Sequence, residues 1–171
     1  MGRLGDLEVS LSGCPPDRSD GAARPLAIDL EDLIWALNSR DPLGESEHWL
    51  NLASGELLSL IGPDAADEAR EDPRDSDRWQ FVEPIESSQA FQIMEDFTEQ
   101  CGDAGPARAL GQALQQRKPF RRFKDTLAAY PAQREAWFAF ERQAMEVIAR
   151  RWCEDHGISP RWIPRPSTPS P

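Results

Sequence analysis

The period of the apolar positions changes along the chain. From about residue 86 onward, apolar residues recur at helical spacing. Before that point they form one short helical stripe and several strand-like runs. Leu30, Leu33, Ile34 and Leu37 fall at i, i+3, i+4 and i+7, which predicts a first helix over residues 28–37. Asp29 is placed to cap it, and Glu31 and Asp32 occupy a first turn that favours acids. Trp35 lies off that stripe and is free to pack against another element. Residues 47–58 predict two short strands joined at Ala53-Ser54-Gly55, where glycine supplies the positive φ that a tight hairpin demands. A third strand is expected over residues 78–83, ended by Pro84.

The second half predicts helices. Residues 86–101 carry Phe91, Met94 and Phe97 close to one stripe, with Ser87 or Ser88 to open the helix and Gly102 to stop it. Residues 106–116 place Ala109, Leu110, Ala113 and Leu114 inward. Residues 120–130 align Phe120, Phe123, Leu127 and Tyr130. Pro131 suits the first turn of a last helix that runs to about His156, where Gly157 can end it. In that helix Trp137, Phe140 or Glu141, Ala144, Ile148 and Trp152 recur at near-helical spacing, next to Phe138. The expected architecture is α+β: a small antiparallel sheet of about three strands against about four or five helices, most of them C-terminal.

The ends look different. Residues 1–25 are rich in Gly, Pro, Ser, Asp and Arg and are expected to form a disordered arm. Residues 159–171 carry five prolines and are expected to form a disordered tail. A single domain is thus expected over residues 26–158, with an exposed acidic loop over residues 62–77.

With 171 residues, the chain has the length of one domain. Its net charge is −11, carried by the first half: residues 1–85 sum to −12 and residues 86–171 to +1. That acidity weighs against a general nucleic-acid packaging role. No apolar run reaches the ~18–20 residues that span a bilayer, so no membrane partner is expected. The first residues hold no apolar h-region, so no secretory signal is expected either. Cys14, Cys101 and Cys153 are odd in number and form no Cys-x-x-Cys pair, which predicts reduced thiols in a cytoplasmic protein.

One order of motifs is distinctive. Leu52-x-Ser54-Gly55-Glu56 is followed by Met94-Glu95-Asp96-Phe97, then Phe120-Arg121-Arg122-Phe123-Lys124-Asp125. Leu127, Pro131, Trp137-Phe138-x-Phe140 and Trp152-x-x-x-His156-Gly157-Ile158 complete it. This order resembles the bacterial uncharacterised protein family 0158, over roughly residues 28–158. The resemblance implies a small soluble bacterial protein with an α+β fold. It carries over no catalytic, cofactor or binding residue.

The residues themselves offer three functional readings. Arg117, Lys118, Arg121, Arg122 and Lys124 place five cations in eight positions with no acid among them. Arginine's planar fork suits phosphate and carboxylate, so this run is a candidate site for a protein partner or, as the alternative, for phosphate or nucleic acid. The competing expectation is internal: these cations pair with Glu95, Asp96 and Glu99 or with the acidic first half. Phe138, beside Trp137, joins Arg121, Arg122 and Lys124 as a candidate contact because one helix cannot bury both rings. Glu95, Asp96 and Glu99 form the best carboxylate cluster, which leaves a weaker hydrolase reading. No metal site, cofactor or catalytic residue is expected. Glycine-rich phosphate loops, a Gly-x-Ser-x-Gly elbow and His-Glu-x-x-His are absent from the sequence, and His48 and His156 stand apart from any such pattern. The leading expectation is a non-enzymatic module that acts through protein contacts.

Overall fold

A computed structural model describes residues 23–39, 45–62 and 71–164. Most of the expected N-terminal arm, the centre of the acidic loop and the last residues of the tail lie outside these segments. The described chain runs β1 (Arg24–Asp29), α1 (Leu30–Leu37), β2 (Ser46–Asn51), β3 (Leu57–Ile61), a short 3₁₀ turn (Pro73–Asp75) and β4 (Trp79–Phe81). It continues with α2 (Ser87–Gln100), α3 (Ala104–Leu114), α4 (Pro119–Ala128), α5 (Pro131–Asp155) and β5 (Ile158–Ile163). The fold is α+β: the described residues form five helices, a three-stranded antiparallel sheet in the order β3-β2-β4, and a parallel pair β1-β5. None of the described helices is long and apolar enough to cross a membrane.

The expected first helix begins two residues late because Ile28 and Asp29 belong to β1. Asp29 caps it as its spacing implies: Oδ1 accepts from the amides of Glu31 at 2.9 Å and Asp32 at 3.2 Å. The hairpin also forms at the expected place. Asn51 Oδ1 accepts from the amides of Ala53 and Ser54, and Gly55 takes φ +80°. Helix α2 differs at its start: Glu86 is the N-cap and no side chain caps it. Helix α3 starts at Ala104 because Pro106 fits within a first turn, where a missing N–H costs nothing.

The two chain ends require a correction. Residues 159–163 were expected in a disordered tail and residues 24–25 in a disordered arm. Instead Arg24–Asp29 and Ile158–Ile163 pair in parallel, from Arg24 opposite Ile158 to Asp29 opposite Ile163. Pro25 and Pro160 fit because a two-stranded sheet has only edge strands, where a residue's nitrogen can face away from the ladder. Arg24 donates to the Gly157 carbonyl at 2.8 Å, so the alternation of the strand turns the nitrogen of Pro25 outward. Leu26, Ile28 and Ile158 are buried in the common core with Leu33 and Leu37 of α1 and with Ala149 and Cys153 of α5. The pair is therefore part of the domain.

At the other end of α5 the core is aromatic. Phe97, Phe123, Trp137 and Phe140 meet with ring centroids 4.9 to 6.5 Å apart. Arg142 of α5 bonds Glu31 of α1, tying the acidic first half to the last helix.

Candidate functional site

Helix α4 carries the candidate cations, and its own periodicity separates them. Phe123 and Leu127 are buried, and Phe120 packs beside them, so one face of α4 is committed to the core. The opposite face presents Arg121 and Asp125. Arg122 lies on one flank and Lys124 on the other, all exposed. The expected pairing with Glu95, Asp96 and Glu99 is not what forms. Among the described residues, the ion pair of this helix is Arg121 with Asp125 at 3.8 Å. Asp96 instead accepts from Gln92 at 2.9 Å, one turn back on α2.

The four candidate residues fall into two concavities that share no lining residue. The first is a cleft of about 410 Å³ between α4 and α5. Leu127 and Trp137 form its floor, and Lys124, Arg134, Glu141 and Phe138 form its rim. Trp137 is 2% exposed and its neighbour Phe138 is 53% exposed, so the helix sends one ring inward and the next to solvent. The Arg134 guanidinium lies over the Phe138 ring, 5.5 Å from its centre. The second concavity, about 490 Å³, is lined by Arg117, Lys118, Arg121, Arg122 and Asp125 at the junction of α3 and α4. Sequence spacing groups Arg121, Arg122 and Lys124 together; the fold divides them. Arg134 was not a candidate, although its i, i+4 spacing to Phe138 could have identified it.

The other titratable groups are distributed over the fold. Among the described residues, no three His, Cys, Asp or Glu side chains gather into a metal-sized group. Cys101 and Cys153 are free thiols, and burial, with Glu154 nearby, pushes Cys153 up to about 11. The Arg74 guanidinium, 2.9 Å from Glu47, holds that carboxyl below its usual range.

His48 proves to be buried, at 1% exposure. Its Nδ1 lies 2.9 Å from Ser59 Oγ, Trp35 meets it edge-on at 4.7 Å, and its Nε2 has no hydrogen-bond partner among the described residues. The parity of β2 could have revealed this, because His48 shares a face with the buried Leu50. Burial lowers the His48 pKa from its ordinary 6.5. The unfolded chain therefore binds more protons than the folded one between that lowered value and about 6.5. Stability contributed by neutral His48 is full above this window and falls as pH drops through it. The urea midpoint should decline between about pH 7.5 and about pH 5 by more in the natural chain than in His48→Leu. Equal declines would remove His48 from the acid response.

With the geometry in view, the comparisons with known proteins are consistent. The model of the Uncharacterised protein family (UPF0158) matches residues 23–163, which include β1 and β5. A UPF0158 protein of Pseudomonas aeruginosa (strain PAO1) is 31% identical over 139 residues, covering 80% of this chain and 88% of the relative. No solved structure matches significantly. The chain belongs to the UPF0158 family.

Proposed function

We propose that this protein is a non-enzymatic binding module whose α4–α5 cleft receives an apolar side chain of a protein partner, with an adjacent acidic group on Lys124 and Arg134. The observation that carries the reading is Phe138, half exposed and backed by the Arg134 guanidinium on the rim of a cleft floored by Leu127 and Trp137. Aromatic and arginine side chains are the residue types that most often anchor protein contacts. The cleft offers an apolar floor and a rim where two cations, Lys124 and Arg134, outnumber one acid, Glu141, which suits a segment that pairs an apolar residue with Asp or Glu. Lys124 and Arg134 supply charge at the rim, where it governs encounter and register more than affinity.

A photo-crosslinking amino acid placed at position 138, in bacterial cells producing the full chain, tests this. The control position is Val147, which is also exposed on α5. A discrete protein adduct is expected from position 138 and not from 147, reduced by roughly tenfold when Lys124→Glu and Arg134→Glu are added. Equal labelling at the two positions, or no adduct, would overturn the reading. Phe138→Ala should change stability by less than about 1 kcal/mol, because the ring is not part of the core.

A further inference from the structure

The junction of α3 and α4 departs from the usual electrostatics of a helix start. Acids and capping oxygens favour that position, because the first amides and the helix dipole present positive charge. Here the N-cap is Lys118, no side chain caps the helix, and its first turn holds no acid. Arg117, Lys118, Arg121 and Arg122 all line one depression, and all four are exposed. The acid within it, Asp125, is 3.8 Å from Arg121. Lys118 also adopts φ +59°, a left-handed conformation disfavoured for a residue with a Cβ. The first turns of α2, α3 and α5 hold no acid either, so what distinguishes α4 is the four cations gathered at its start.

We propose that this depression binds a compact polyphosphate: two or more contiguous phosphate groups of a small molecule. The guanidinium groups of Arg117, Arg121 and Arg122 can each present paired donors to phosphate oxygens, and Lys118 adds a point charge. Contiguous phosphates match the charge, since four cations exceed what one phosphate neutralises. A small ligand also fits the surroundings better than a nucleic-acid strand does. The site is about 490 Å³ in a chain of net charge −11, and screening confines its attraction to about 8–10 Å. A long polyanion would extend beyond that range, where these four cations no longer attract it.

The site shares no lining residue with the α4–α5 cleft, so the two proposals stand or fall separately. The test is calorimetric titration of the full chain with tripolyphosphate, orthophosphate and a short RNA oligomer. Saturable binding of tripolyphosphate is expected at about 50 mM salt, weakening steeply by about 200 mM. Arg121→Glu/Arg122→Glu should weaken it at least about tenfold, with circular dichroism unchanged. Arg151→Glu/Arg161→Glu, which alters net charge equally at exposed positions elsewhere, should leave it within about twofold. The proposal is overturned by no saturable binding of the folded chain, by equal losses in the two variants, or by orthophosphate binding as tightly as tripolyphosphate. RNA binding more than about tenfold tighter than tripolyphosphate would also overturn it and give the site to nucleic acid.

Discussion

Trp137→Ala is expected to cost about 3–5 kcal/mol, a large share of the roughly 5–15 kcal/mol that holds a domain together. Trp137 is 2% exposed, and its ring meets Phe123 at 4.9 Å and Phe97 at 5.3 Å, both edge-on. Phe140 lies 6.5 Å away in a stacked arrangement. These rings come from α2, α4 and α5, so the indole is the shared surface on which three helices converge. Removing it deletes apolar burial and leaves a void that three separate elements would have to collapse into. Helical order is expected to survive longer than tertiary packing, because each helix keeps its own hydrogen bonds. With a slope of about 1–3 kcal/mol per molar, the urea midpoint should fall by more than about 1 M. Trp137→Phe should retain most of the stability, since the edge-on contacts need a ring more than an indole. A loss below about 1 kcal/mol for the alanine variant would show that the aromatic cluster is not the structural centre described here. Phe138→Ala, one residue along, makes the comparison sharp: its neighbour's loss should unfold the cluster while its own spares it.

That pair of neighbours also shows how far sequence carries the argument. Local periodicity exposes Phe123 and Leu127 as inward, Asp29 as a cap and Gly55 as a turn residue, because each depends on residues within a few positions. The inward stripe of α5 is less legible. Trp137 lies on the expected line, but farther along the deepest positions are Met145, Ala149 and Cys153, while Ala144, Ile148 and Trp152 sit only partly buried beside them. The first part of that helix packs against α2 and α4, its later part against α1 and β5, so the buried stripe turns as the neighbours change. No single period can describe that. The β1–β5 pair is illegible for a different reason. Its partners lie at opposite ends of the chain, and Pro25 and Pro160 argue locally against a strand. The candidate site has the same limit: the cation run is visible as composition, but only the position of α4 assigns Lys124 to Phe138 and Arg121 to Lys118.

Gly55→Ala is expected to destabilise the fold by about 2–5 kcal/mol, from two effects that act together. Gly55 sits at φ +80°, where a side chain strains the backbone. More severely, a Cβ there would lie 1.8 Å from the carbonyl oxygen of Ala27 and 2.9 Å from its carbonyl carbon. That obstacle is the backbone of β1, not the end of a flexible side chain. The contact joins the two sheets: the β2–β3 turn rests directly on β1, and Arg24 Nη1 reaches the Leu52 carbonyl at 3.1 Å. To admit a methyl group, either the hairpin turn must lift or β1 must move. Moving β1 disturbs its pairing with β5, and Leu26, Ile28 and Ile158 are buried there. Hydrogen exchange distinguishes these responses from a general loss of stability. Faster exchange is expected first at the Arg24 amide, which donates to the Gly157 carbonyl, and at the amides of Asn51 and Gly55 in the turn. The amides of α3 and α4, which pack elsewhere, should follow only with global unfolding. Gly62→Ala provides the control, since its φ is +93° but a Cβ there meets nothing within 4 Å among the described residues. If both alanine variants lose the same stability, backbone strain accounts for the effect. A larger loss at position 55 assigns the difference to the contact with β1, and thereby makes the seam between the two sheets a determinant of the fold.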